Sequence, residues 1–159
     1  MATKTFIKFD GIDGESVNKD HAGEIDVLSW NWGLAVTVLT SGGDGGVSAG
    51  RVAPKDIHFV HHYDKASPML LRMAATGRRI ASAVMSARKA GAGQKDFLKI
   101  TLKDVLITSI NAGDDGNGAT EEIAFNYRDI QFSYRPQSAS GALGAAVEVD
   151  WDVRAGKVA

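Results

Sequence analysis

Apolar residues recur at every second position in one stretch of this chain after another, and side chains that alternate sides residue by residue belong to β-strands. From Glu24 to Leu39, the residues Leu28, Trp30, Trp32, Leu34, Val36 and Val38 fall on one face; Ser29, Asn31, Gly33, Ala35 and Thr37 fall on the other. That spacing predicts one long strand with an apolar face and a face of small, mostly neutral side chains. The same period runs through Thr3 to Phe9, where Thr5, Ile7 and Phe9 oppose Lys4, Phe6 and Lys8. It returns in Asp56 to Tyr63 with Ile57, Phe59 and His61, and in Ile80 to Lys89 with Ala83, Met85 and Ala87. Phe97 to Thr108 sets Leu98, Ile100 and Leu102 inward, and Val147 to Val153 sets Val147, Val149, Trp151 and Val153 against Glu148, Asp150 and Asp152. Between them, Glu122 to Tyr134 changes parity, from Ile123, Phe125 and Tyr127 to Ile130, Phe132 and Tyr134. A slip of that kind near Arg128 and Asp129 predicts a β-bulge. Trp30, Trp32, Leu98, Ile100, Leu102 and Trp151 are the expected core.

One segment reads as a helix. Ser67 and Pro68 supply an N-cap and a first-turn proline for Met69 to Thr76, and Gly77 stops it, giving a short helix at about residues 68–76. Seven or so strands with turn signals between them and a single helix predict a mainly β fold, an antiparallel barrel or sandwich. A chain of 159 residues fits one domain, here 1–159, with no repeat and no linker.

Glycine is abundant, 18 residues against 3 prolines, and it concentrates between Ser41 and Arg51. Gly42, Gly43, Asp44, Gly45, Gly46, Val47, Gly50 and Arg51 read as a long loop, because glycine loses the most entropy on ordering and brings no side chain to pack. A structureless stretch of that length inside a compact domain is generally functional or disordered.

The composition excludes several functions. No cysteine means no disulfide, no zinc–thiolate site and no thiol nucleophile. With 18 basic and 19 acidic residues the net charge is -1, and no like-charged block offers a footprint for nucleic acid or an acidic membrane. Polar residues follow Met1 and no apolar h-region precedes the first strand, so neither a cleavable signal peptide nor a membrane-inserted segment is expected.

Candidate chemistry is thin. His58 and His62 share a strand face about 13 Å apart and His61 points the other way, too far for one zinc ion. His21, in a polar turn after Asp20, reads as a solvated loop residue. Gly45 to Val52 has the glycine spacing of a phosphate loop, but Arg51-Val52 stands where Lys and then Ser or Thr are needed. Asp114-Asp115-Gly116-Asn117-Gly118 has calcium-loop residues in the wrong order and reads as a hairpin turn. Asp150 and Asp152 share a face but read as a solvated or interfacial pair before a glycosidase one. No catalytic residue, cofactor or metal is assigned, and the expectation is a protein that is not an enzyme.

Over nearly its whole length the sequence resembles the haemolysin-coregulated protein (Hcp) family of bacterial type VI secretion. The likeness rests on Phe6-Ile7-Lys8-Phe9-Asp10-Gly11-Ile12-Asp13-Gly14-Glu15-Ser16 and on His21 to Gly33 with its paired tryptophans. It continues through Asp64-Lys65-Ala66-Ser67-Pro68, Arg88-Lys89-Ala90-Gly91, Phe97 to Leu106 and Tyr134-Arg135-Pro136-Gln137. The chain ends soon after the last strand and so resembles the plain tube subunit, not members with an added toxin domain. The resemblance implies a homo-hexameric ring, rings stacked into a tube inside a contractile sheath with a spike, and small effector proteins in the lumen. It also implies residence in the bacterial cytoplasm before firing and secretion by the machine itself. Ser29, Asn31 and Gly33 are then candidates for a lumen or other exposed functional face, and the Ser41 to Arg51 stretch for the ring-stacking loop. A phage-like tail-tube protein shares this architecture. A monomeric β-barrel enzyme or ligand-binding domain is the alternative from a different class, and would require convergent polar groups in a pocket.

Overall fold

The computed structural model describes residues 2–40, 47–91 and 93–159. The fold is mainly antiparallel β with a single short helix, as the alternation predicts. In chain order the strands are β1 (Thr3–Phe9), β2 (Ile25–Val27), β3 (Ser29–Asn31), β4 (Leu34–Thr40), β5 (Val47–Pro54) and β6 (Ile57–His62). After helix α1 (Ala66–Thr76) come β7 (Ile80–Lys89), β8 (Asp96–Asp114), β9 (Ala119–Asn126), β10 (Asp129–Tyr134), β11 (Val147–Asp152) and β12 (Lys157–Val158).

Ten strands make one sheet that is not closed. One branch runs β12-β11-β10-β8-β7-β1-β2, and the other runs from β8 through β9 and β6 to β3. β8 is the spine. Its first half pairs with β7 and β10, its second half with β9.

The predicted parity slip is real, but its cause differs from the one expected. No extra residue is inserted at Arg128: the chain breaks between β9 and β10, and the register against β8 is kept, with Leu106 opposite Asn126 and Lys103 opposite Asp129. β8 changes parity at the same level, from buried Ile100 and Leu102 to buried Val105 and Ile107. Between them Asp104 has φ 55, in the left-handed region. Two neighbouring strands therefore bend together, and the sheet turns a corner without losing its ladder. A true bulge lies further on, where the β8–β9 register shifts between Ile107 and Ser109.

The long strand expected from Glu24 to Leu39 is three pieces. β2 pairs with β1, the chain hands over at Leu28, whose N–H donates to Val60 O, and β3 pairs with β6. After Gly33 the chain leaves the ten-stranded sheet, and β4 pairs only with β5. Alternation fixes faces, but it does not say where a strand changes partners.

The loop expected over Ser41 to Arg51 is corrected at its far end. Gly42, Gly43, Asp44, Gly45 and Gly46 lie outside the described residues, whereas Val47, Gly50 and Arg51 belong to β5. Together β4 and β5 form a hairpin arm. Its register shifts between Val36 opposite Val52 and Val38 opposite Ala49, so Gly50 and Arg51 together face Thr37. A Cβ on Gly50 would sit 2.7 Å from Thr37 O, which is why a glycine in mid-strand is an asset here.

Helix α1 starts two residues before its predicted first turn, with Lys65 and not Ser67 at the N-cap and Asp64 just outside it supplying a side-chain acceptor. Asp64 Oδ1 accepts from Ala66 N–H at 2.9 Å, and Ser67 Oγ accepts from Asp64 N–H at 3.2 Å. Gly77 closes it in the left-handed conformation, φ 64. The helix buries Ala66, Ser67 and Leu70 against the sheet. At the centre, Phe9, Phe59 and Phe125 are fully buried and meet at ring-centroid distances of 5.4–6.1 Å.

Candidate assembly surface

Apolar side chains that the core does not use gather in two adjoining places. The first is the arm, where Leu34, Val36, Val38, Leu39 and Val52 are all exposed, Val38 by 59%. A two-stranded hairpin alone is marginal in water, and this one shares no ladder with the main sheet. The second lies at its root. Trp32, Leu34, Phe132, Val149, Trp151 and Val158 line an entirely apolar trough of about 380 Å³.

The floor of the trough is held firmly. Trp32 Nε1–H donates to Tyr127 Oη, whose hydroxyl donates in turn to Lys55 O at 2.8 Å. Burial pushes the Tyr127 phenol up from its usual range. The Trp32 ring packs on Phe132 at 4.9 Å. Contiguous exposed apolar surface is uncommon on a protein that stays alone in solution.

Of the expected core residues, Ile100 and Leu102 are fully buried. Trp30, Trp32, Leu98 and Trp151 are half-buried, packed against the core from its edge. Ser29 and Asn31 are exposed on β3, and Gly33 is half-buried with its carbonyl accepting from Lys55 N–H. These three residues follow one another beside the root of the arm, and none of them lines the trough.

The histidines separate as their register requires. His58 is half-buried, with Nδ1 3.5 Å from Glu122, and His62 is exposed. His61 is fully buried, its Nε2 2.9 Å from Glu121 Oε1 and its Nδ1 3.8 Å from Asp64, an ion-pair distance too long for a hydrogen bond. Burial pushes this imidazole down, but the Asp64 and Glu121 carboxylates outweigh it and raise its pKa.

His21 corrects its sequence reading as a solvated loop residue. It is buried, its ring stacked on Phe6 at 4.5 Å, with Nδ1 2.9 Å from Glu24 and Nε2 3.0 Å from Asp96. Arg88 closes the cluster, donating to Asp96 and Asp20, and its hydrogen bond holds the Asp20 carboxyl below the usual carboxylate range. The knot ties the segment after β1 to the facing ends of β7 and β8. Only the three-residue spacing of His21 and Glu24 hinted at it. Asp96 is 75 positions from His21, and nothing local links them. At the other side of the sheet, burial and a hydrogen bond with Asp150 push the Asp129 carboxyl up.

The whole fold is shared with type VI secretion proteins known in crystal form. Hcp1 from Salmonella typhimurium superposes with a TM-score of 0.81 at 29% identity, covering 100% of each chain. The family described as "Type VI secretion system effector, Hcp" matches residues 6–134. "Protein hcp1" of Pseudomonas aeruginosa is 40% identical over 158 residues, 97% of each chain. The "Major exported protein" of the same species is 25% identical over 139 residues, 81% of this chain and 79% of that one. The chain belongs to the Hcp family of type VI secretion.

Proposed function

We propose that this chain is the building block of the type VI inner tube: six copies close into a ring, rings stack, and the lumen carries small effector proteins. The sheath and spike are its neighbours in the machine, which exports it from the bacterial cytoplasm. Its work is structural, not catalytic. The observation that carries this reading is the arm, an apolar hairpin that a solitary protein would leave bare on both faces of its ladder. A ring needs one patch fitted to a different patch on the next copy, repeated until rotation closes it, and the apolar trough at the root of the arm suits that role.

Light scattering after size exclusion, followed by negative-stain imaging, tests the proposal. Six-membered rings are expected, and a clean monomer at high concentration overturns it. Replacing Gly42 to Gly50 by a short Gly-Ser turn removes the upper arm; folded rings that no longer stack are expected. The Ser29, Asn31 and Gly33 surface is assigned to the lumen. Asn31→Arg should then leave ring size unchanged and reduce cargo retention, and retention equal to the parent's would remove the assignment.

A further inference from the structure

At the root of the arm, close to the trough, lies a polar cleft of about 470 Å³. Lys55, Arg79, Arg128 and Arg154 line it together with Asp56 and Asp104. Both acids are engaged: Asp56 accepts from the Thr108 hydroxyl at 2.6 Å, and Asp104 lies 3.6 Å from Arg79. Among the described residues, Lys55, Arg128 and Arg154 have no ion-pair partner. A chain whose net charge is -1 has thus set four cations against two carboxylates around one concavity, which leaves it positive. Such a cleft focuses a positive field on whatever docks there.

The complementary group is at the opposite end of the same strand pair. β9 begins beside the turn that joins it to β8 and ends at Asn126, which lines the cleft. Its seven steps separate the two by about 23 Å. That turn carries Asp114 and Asp115, both exposed. Asp114 Oδ1 accepts from Gly116 and Gly118 N–H and Asp115 Oδ1 from Asn117 N–H, so the turn itself holds both carboxylates.

We infer that the cleft receives the Asp114–Asp115 turn of a second copy of this chain, head to tail. A contact between two different patches of identical molecules closes into a ring when its rotation closes and propagates when it does not; here it is taken as the propagating one, which is what stacking one ring on another requires. The cleft shares Pro54 and Lys55 with the root of the arm, so both would engage the same neighbouring ring. This inference rests on the tube reading and adds its axial contact. The arm supplies apolar area, while the charges set register and salt sensitivity.

The test uses rings purified at high concentration and scored for stack length by imaging and sedimentation. Raising salt from about 0.05 M to about 0.5 M should shorten the stacks several-fold without opening the rings, since it cuts the Debye length about three-fold. Arg128→Glu with Arg154→Glu should abolish stacking, as should Asp114→Lys with Asp115→Lys. Asp114→Asn with Asp115→Asn keeps the acceptors that shape the turn and should still lose stacks, which separates charge from folding. The chain carrying all four reversals should stack again. Rings that stack equally in every variant, or a four-fold reversal that fails to restore what the pairs remove, overturn the contact and leave the tube reading standing. A parent that forms no rings overturns both.

Discussion

Strands β6 and β4 carry nearly the same pattern and end in opposite environments. In β6, Ile57, Phe59 and His61 point inward and are fully buried, sealed by β9 on one side and β3 on the other. In β4, Leu34, Val36 and Val38 alternate just as cleanly and remain 42–59% exposed. Period two states that a strand has an apolar side, but not whose surface will cover it. β6 has two strand partners in its own chain and β4 has one. Under the proposed tube reading the open side of β4 is met by another copy, which would separate the folding core from the assembly surface.

The comparison breaks most visibly at Phe59. Phe59→Ala removes a ring packed against Phe9, Phe125 and His61, and should cost about 3–5 kcal/mol in urea unfolding. A loss below about 1 kcal/mol would mean that the β6 core is not where stability resides.

Trp32 stands between the two regions, anchored below by Tyr127 and open above to the trough. Trp32→Ala should cost about 2 kcal/mol, less than a fully buried aromatic, and should also prevent ring closure. Trp32→Phe keeps much of the apolar ring and removes the donor to Tyr127. Rings that survive Phe and fail with Ala would assign the trough to assembly through its shape. Rings that survive both would leave the trough without that role.

His61 sharpens the comparison from inside the core. Its pKa is raised in the folded protein, so its contribution to stability is fully present below the unfolded value near 6.5. That contribution fades as pH rises through the folded value, because the neutral imidazole no longer pairs with Glu121. Melting temperature should therefore fall as pH is raised from about 6 to about 9. In His61→Gln that part of the slope should vanish. An unchanged slope in the variant would place the titrating group elsewhere.

Much of this fold could be read from local pattern. β1, β6, β7 and the helix stop at Gly77 follow from alternation and a left-handed glycine, and the β8–β9 turn from its Asp-Gly-Asn run. What escaped depends on partners far away in sequence. The break at Leu28, the left-handed Asp104 in β8 that accompanies the parity slip at Arg128, and the His21–Asp96–Arg88 knot are each set by residues that meet only when the sheet folds. Trp30 and Trp32 pack against the core from its edge and stay half-buried: alternation fixes which way they point, but not how deeply they are covered. The glycine content of Ser41 to Arg51 suggested a loop throughout. Gly50 instead serves a strand, giving the chain room for a bulge that no hydrophobic periodicity announces.

The smallest effect on folding is expected in the arm, and it is the sharpest test of the contrast. Val36 and Val52 face each other across the β4–β5 ladder and are exposed by 42% and 44%. Threonine matches valine in shape and suits a strand equally well, so Val36→Thr with Val52→Thr changes polarity and little else. Because neither side chain is buried in the protomer, unfolding free energy should move by less than about 0.5 kcal/mol. The same exchange places two hydroxyls wherever the arm meets its neighbour. If that contact is dry, each hydroxyl left without a partner costs about 1–3 kcal/mol there. Imaging should therefore show rings of normal size with few or no stacks, alongside an unchanged melting curve. A variant that melts early would place the arm in the folding core, and one that both melts and stacks like the parent would make it a solvated ornament. Only the split result, stable and unable to stack, fits an arm whose apolar side is finished by another copy.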